Sequence, residues 1–409
     1  MNHDSQRFDV VIIGGGIVGT TLACALRQSS LRIALIEPAA VERQAVEHLF
    51  DLRVSAITRA SQRIFETLGV WPAMEQQRVS PFREMHVWDK AQRGEIHFDS
   101  AELGEPLLGH IIENRVMTSS LFAALVTAEN VVSMSGRSCQ RIQHDPAGWQ
   151  IELDNGAVLH STLVVGADGS HSWVRQQQQI RVRGWDYDHT ALVTYVKTAL
   201  PHHATAWQRF LPSGPLAFLP LTDGYSSIVW STRDAHAREL HNMPSQEFAQ
   251  QLEQAFESRL GAIEHVGARA IFPLRFFMAE HYIGDGLALV GDAAHTVHPL
   301  AGQGVNLGLA DAASLAQVIV ETARAKRPID DSVALRRYER WRRAENLTMF
   351  VSMDGLQRLF DSEHSVIDGL RNTGMWCLNR LPLLKNGIIA SAMGNRGDLP
   401  KLARGEPIS

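Results

Sequence analysis

Cysteine is scarce in this chain. Only three of the 409 residues are cysteine, namely Cys24, Cys139 and Cys377. They are far apart and form no C-x-x-C pair, which argues against a disulfide framework or a zinc site and fits a reducing compartment. Also missing is any run near the ~20 apolar residues that a spanning helix needs. Residues 1–8 are polar, with no apolar stretch behind a basic patch, so no secretory signal is expected. The chain is expected in the cytoplasm, soluble or on the inner membrane surface. Long basic runs are lacking too. With 39 basic and 44 acidic residues the net charge is −5, and nucleic acid is not an expected partner. What remains is ordinary globular material, 45% hydrophobic and 20% charged, enough for a large core. The length points to two interleaved domains.

What is present begins at once. Residues 8–13 (FDVVII) read as a buried parallel strand. Gly14-Gly15-Gly16-Ile17-Val18-Gly19 follows, then helical spacing over 20–28, then a second apolar run at 33–36 ending in Glu37. This is the start of a βαβ unit with G-x-G-x-x-G at its turn. Gly14 permits the tight turn, Gly16 lets the backbone approach a pyrophosphate, and Gly19 lets helix and strand pack closely. The helix N-terminus at Ile17 and Val18 offers free N–H groups and partial positive charge to phosphates. Glu37, 23 residues after Gly14, can accept from both hydroxyls of an adenosine ribose. The motif alone fits FAD or NAD, and a glycine turn that binds nothing is the bland alternative.

Two later segments separate these. Residues 163–167 (LVVGA) read as a strand running into Asp168-Gly169-Ser170. Residues 286–291 (GLALVG) run into Asp292-Ala293-Ala294-His295, then Pro299 and Gly302-Gln303-Gly304-Val305-Asn306, with a helix from Val305 to about Glu321. Singly, Asp168 reads as a turn residue and Asp292 as a helix cap. Together, and in this order after the glycine turn, they resemble the Asp-Gly and Gly-Asp motifs of the FAD-dependent aromatic hydroxylases, the single-component flavin monooxygenases. The resemblance implies that Asp292 bonds the ribityl chain and that Asp168 and Gly169 lie near the pyrophosphate. It implies that residues 302–306, with Pro299 before them, set backbone N–H groups beside the flavin N1 and C2=O. Arg53 matches a family arginine that reaches the flavin; a surface arginine is the plain alternative. Asn114, with Arg115, sits where the family places a polar flavin contact. No second strand–GxGxxG–helix unit occurs, so NAD(P)H is expected to bind transiently as the reductant.

Further stretches resemble a narrower group, the ring hydroxylases of ubiquinone biosynthesis: 51–57 (DLRVSAI), 108–114 (LGHIIEN), 185–187 (WDY), 217–221 (AFLPL), 227–230 (SIVW), 291–308 (GDAAHTVHPLAGQGVNLG) and 335–340 (LRRYER). The likeness runs from about Asp9 to the C-terminus. Residues 87–90, 335–343 and 399–400 look closest to the member that acts on 2-polyprenylphenol. The resemblance implies an α/β fold with a Rossmann-like FAD domain (1–85, 105–180, 275–345), an interleaved, mostly antiparallel β-sheet substrate domain (86–104, 181–274) and a helical C-terminus (346–409). It implies a cycle in which NAD(P)H reduces FAD, O₂ forms a C4a-hydroperoxide, and a polyprenylated phenol takes up one oxygen. Tyr187 and His189 are candidates for a base only by position. Phe210, Leu216, Phe218 and Leu219 are candidates for a polyprenyl channel, with a packed sheet core as the alternative. His295 and His298 lack further metal ligands and read as loop residues near the flavin. Residues 376–393 read as an interfacial helix or as a helix packed on the FAD domain. Partner expectations are peripheral membrane contact and assembly with other ubiquinone enzymes. Rivals are a flavin halogenase, whose W-x-W-x-I-P signature is absent, a prenyl-chain reductase, a sister hydroxylase of a later ring position, and a non-catalytic flavin-binding subunit.

Overall fold

In the computed structural model, which describes residues 6–39, 49–89, 95–296, 304–361, 394 and 397–408, the apolar runs pair with one another. Gln6–Ile13 lies between Val158–Gly166 and Ile33–Glu37, all parallel. Leu287–Leu289 and Val131–Ser135 extend the parallel sheet on either side. Val10, Val11 and Ile12 are fully buried, as strands covered on both faces must be. The helices Ile17–Leu26, Asn114–Leu125 and Gly304–Arg324 supply residues to the same core. Gly308 makes one of these packings possible. A Cβ there would lie 2.6 Å from Val18 Cγ2, so its absence lets helix Gly304–Arg324 sit against Ile17–Leu26.

The middle of the chain builds a second sheet of nine strands. Its order is His295–Thr296, Ala270–Ala279, Val182–Thr198, Tyr225–Arg233, Gly214–Pro220, Thr205–Leu211, Glu84–Asp89, Glu95–Asp99, with Ile263–Val266 also paired to Val182–Thr198. Its pairings are antiparallel except that of Thr205–Leu211 with Glu84–Asp89. This agrees with the expected mostly antiparallel sheet. The expected domain edges at 85/86 and 274/275 fall inside strands Glu84–Asp89 and Ala270–Ala279, so the second sheet takes in more chain than the sequence suggested.

Strand alternation gives this sheet two unlike faces. Leu192, Leu216, Phe218, Ile228 and Trp230 point to a core shared with Phe248, Leu252 and Phe256 of the segment that follows. Phe218 stacks on Phe256 with ring centroids 3.8 Å apart. Their neighbours Ala191, Val193, Ala217, Leu219 and Val229 face the other way, into a cavity. Of the four channel candidates, Leu216 and Phe218 therefore belong to the packed core, Leu219 lines the cavity, and Phe210 does neither. A third sheet, Val54–Thr58, Gly109–Glu113 and Ser80–Phe82, is antiparallel and adjoins that cavity. Pro299, Gly302, His298, Cys377 and residues 376–393 lie outside the described residues.

Candidate cofactor and substrate site

Ile13, Gly166 and Leu289 stand side by side at the carboxyl ends of three parallel strands. The three motif loops therefore emerge together at the edge where open α/β sheets bind ligands. Gly14 has φ +108°, and a Cβ there would lie 2.4 Å from Ala167 O, so the first two loops touch. A Cβ on Gly19 would lie 2.0 Å from Gly14 O, which is the close helix–turn packing expected of it. Gly16 differs: a Cβ there meets no atom within 4 Å. It opens the helix Ile17–Leu26, which has no side-chain cap and no acid in its first turn. Gly16, Ile17 and Val18 line the cavity, so the free end of the helix faces open space.

Glu37 is held beside this turn. Its Oε2 accepts from the Gly15 N–H at 2.6 Å and its Oε1 from the Ala39 N–H at 2.9 Å. A carboxylate has lone pairs left for ribose hydroxyls after both bonds. Glu37→Arg should lower FAD affinity by roughly tenfold or more, the loss of one or two charge-assisted hydrogen bonds. Fluorescence titration of the apoprotein checks this, and unchanged affinity would remove Glu37 from the cofactor site.

In the second loop, Asp168 Oδ2 accepts from the Val174 N–H at 3.0 Å, while its buried Oδ1 has no hydrogen-bond partner among the described residues. Gly169, at φ +80°, and Ser170 line the cavity. Arg175 is the residue that sequence reasoning overlooked. Its guanidinium donates to Ser170 O and to Ala293 O, each at 2.8 Å, and lies 4.6 Å from the Phe277 ring centre. It thus ties the Asp-Gly loop to the Gly-Asp loop. It follows Asp168 by seven residues in the sequence, and only the fold reveals what it holds.

Asp292 lines the cavity, and no described residue hydrogen-bonds its carboxylate. Its side chain is open to the cavity, yet the protein crowded around it still raises its pKa by desolvation, with Asp311 adding to the rise and His295 and Arg53 opposing it. Beneath it lies a buried ionic cluster. Asp311 Oδ2 accepts from the Gly291 N–H at 3.0 Å and meets His295 Nε2 at 2.6 Å. Asp311 Oδ1 accepts from Arg342 Nε at 2.7 Å and from Asn346 Nδ2 at 3.3 Å. His295, expected as a loop residue near the flavin, lies in the short strand His295–Thr296 with its side chain fixed to Asp311.

Arg53 and Asn114 are brought together. The Asn114 N–H donates to Arg53 O at 2.9 Å, and Asn114 Oδ1 accepts from Ser55 Oγ at 2.8 Å. Both line the cavity. Buried Glu113 holds the loop behind them, accepting from the Asp51 N–H at 2.6 Å and pairing with Arg78 at 3.1 Å and Arg115 at 2.6 Å. Gly304 and Val305 line the cavity as well. The Asn306 side chain bridges to the strand Val54–Thr58, accepting from the Thr58 N–H at 3.0 Å and donating to Ala56 O at 2.8 Å. His189 pairs with Arg233 across the second sheet and is not among the lining residues. The Tyr187 side chain lies outside the described residues.

One cavity of about 650 Å³ joins these parts. Gly16 to Val18, Arg53, Gly169 and Asp292 line it, and so does an apolar cluster of Phe82, Met85, Phe98 and Leu108. The residues fit FAD. The open space at Gly16 and the uncapped helix suit a pyrophosphate, and the unpartnered Asp292 carboxylate suits the hydroxyls of a ribityl chain. The apolar cluster suits a hydrocarbon.

Residues 7–350 match the FAD binding domain family. The chain is 37% identical to the 3-demethoxyubiquinol 3-hydroxylase of Escherichia coli (strain K12), over 95% of this chain and 99% of that one. It is 33% identical to the mitochondrial ubiquinone biosynthesis monooxygenase COQ6 of Dictyostelium discoideum, over 95% of this chain and 91% of that one. The crystal structure of p-nitrophenol 4-monooxygenase PnpA from Pseudomonas putida DLL-E4 matches with a TM-score of 0.78, over 95% of this chain and 98% of that one. At 17% identity that likeness is one of fold.

Proposed function

This chain belongs to the FAD binding domain family, and we propose that it hydroxylates the ring of a polyprenylated phenol or quinol on the way to ubiquinone. It is an FAD-dependent monooxygenase, with NAD(P)H as the family's reductant. The observation that carries the substrate class is that one cavity is lined both by the flavin motifs and by the apolar cluster of Phe82, Met85, Phe98 and Leu108. A small polar phenol would need no such cluster; an isoprenoid tail does. When bound, FAD would supply the redox chemistry by which two electrons from NAD(P)H and one O₂ put one oxygen on the ring and release the other as water. The chain's residues bind and orient. The helix end at Gly16 and the Asp168 loop hold the pyrophosphate, and Asp292 holds the polyol. Arg53 lines the cavity with its guanidinium 5.8 Å from the Phe272 ring centre. Val193, Ala217 and Val229 roof the site and exclude water from it.

For the ring position, residues 87–90 and 335–343 support oxidation of 2-polyprenylphenol. The name of the Escherichia coli relative favours a second reading, oxidation at ring carbon 3 of a later intermediate. Deleting the gene and identifying the precursor that accumulates distinguishes them. A polyprenylphenol supports the first reading and a demethoxyubiquinol the second. Normal ubiquinone with no precursor contradicts both. Among the described residues no helix is long and apolar enough to cross a membrane. A lipid-borne substrate therefore calls for peripheral contact with the bilayer or assembly with neighbouring enzymes, and both belong to this proposal.

A further inference from the structure

We propose that Gln208 orients the substrate ring by hydrogen bonding one of its hydroxyl groups. The inference rests on the substrate class proposed above.

The roof of the cavity is mostly apolar, with Ser231, Arg275 and Thr296 also on the lining, and its register shows where it is shallow. Gln208 pairs with Ala217, Ala217 with Val229, and Val229 with Val193, a row that crosses four strands. All four line the cavity. Three of them are small or β-branched and clear space beneath the sheet. The fourth carries an amide. Gln208 is 7% exposed, and no described residue hydrogen-bonds its side chain.

The strand leaves Gln208 no other direction. Trp207 packs on the opposite core, and Arg209 pairs there with Glu257 at 2.6 Å. Alternation then points residue 208 into the cavity. Because the side chain lines the cavity, its amide is open to a ligand there, whereas an aliphatic side chain of similar size would offer that ligand no hydrogen bond. The amide offers one acceptor oxygen and two N–H donors. A phenol hydroxyl both donates and accepts, so one ring oxygen can satisfy both functions of the amide. Glycine-rich and charged groups line the cavity, and so do Phe82, Met85, Phe98 and Leu108. Ala206, two residues from Gln208 on the same face, pairs with Met85, and Met85 with Phe98, so a ring held at Gln208 has apolar residues beside it for its tail. A site that hydrogen-bonds a substrate hydroxyl rejects the analogue lacking it far more strongly than shape alone can.

The test uses calorimetry on the FAD-loaded protein with two probes, 2-geranylphenol and geranylbenzene, which differ only in the ring hydroxyl. Wild type should bind the phenol at least about tenfold more tightly, which is ~1.4 kcal/mol. Gln208→Leu should bind both alike while keeping its FAD content and melting temperature. Gln208→Met, nearly isosteric, serves as the second variant and should behave the same way. A phenol preference that persists in either folded variant overturns the role of Gln208 and leaves the substrate class standing. A wild type that binds both probes equally does the same. A wild type that binds neither overturns the substrate class, and with it this inference.

Discussion

Gly16→Val should fold as the wild type does and yet lose FAD, with affinity falling at least about 100-fold, the ~2.7 kcal/mol that overpacking a tight contact readily costs. The backbone at Gly16 is extended, φ −65° and ψ −177°, so a side chain brings no strain of its own. A Cβ there meets nothing within 4 Å, so the protein itself has room for it. Replacing glycine at a helix cap by an aliphatic residue costs about 1 kcal/mol or less. The space it fills is the approach to the helix end, where a pyrophosphate must come close. Gly19→Val provides the contrast. Its Cβ would lie 2.0 Å from the Gly14 carbonyl, backbone that cannot turn aside, so this variant should lose stability and FAD together. Thermal melts of the apoproteins and flavin fluorescence titrations separate the two outcomes. Wild-type FAD affinity in Gly16→Val would mean that the turn is not a cofactor contact.

Asp311→Ala should destabilise the protein by about 3–5 kcal/mol, the usual cost of removing one partner from a buried ion pair. The side chain is fully buried, and its loss strands Arg342, which is 4% exposed, without its counter-charge. The Gly291 N–H and Asn346 lose their acceptor as well. Because Gly291 precedes Asp292, FAD should also be held more weakly. The pH dependence follows from the same contacts. Burial alone would raise the Asp311 pKa, but His295 and Arg342 outweigh it and lower it from 3.8 to about 2. A carboxyl with a depressed folded-state pKa contributes stability that is full above its unfolded value and is lost as pH falls through the folded one. Wild type should therefore lose this contribution between about pH 4 and pH 2. Asp311→Ala should lack that part of the acid limb. Melting temperatures recorded from pH 2 to pH 7 check both, and identical acid limbs would show that Asp311 is not charged in the native cluster.

The two variants also mark what the sequence does and does not reveal. The glycine turn, Asp168-Gly169 and Gly291-Asp292 are contiguous, and each follows an apolar strand, so local chain chemistry exposes them. Parallel pairing then puts Ile13, Gly166 and Leu289 abreast, as an α/β sheet must. The Asp311 cluster is not contiguous. Asp311, Arg342 and Asn346 lie on two helices, and only packing sets them against His295. Sequence spacing showed His295 and His298 as a pair, whereas the true partner of His295 is 16 residues on. The second sheet hides its sidedness for another reason. Both of its faces are apolar, so alternation did not distinguish Leu219, which lines the cavity, from Leu216 and Phe218, which do not. Gln208 went unnoticed for the same cause, since a single polar residue in a strand usually points to water.

Oxygen transfer to the ring is the most direct test of the proposed chemistry. FAD-loaded protein would be given NAD(P)H, ¹⁸O₂ and 2-geranylphenol, and the product analysed by mass spectrometry. Hydroxylated product carrying one ¹⁸O atom, with NAD(P)H consumption stimulated by the phenol, is the expected result. NAD(P)H consumed at the same rate with and without the phenol, yielding only hydrogen peroxide and no labelled ring, would contradict it.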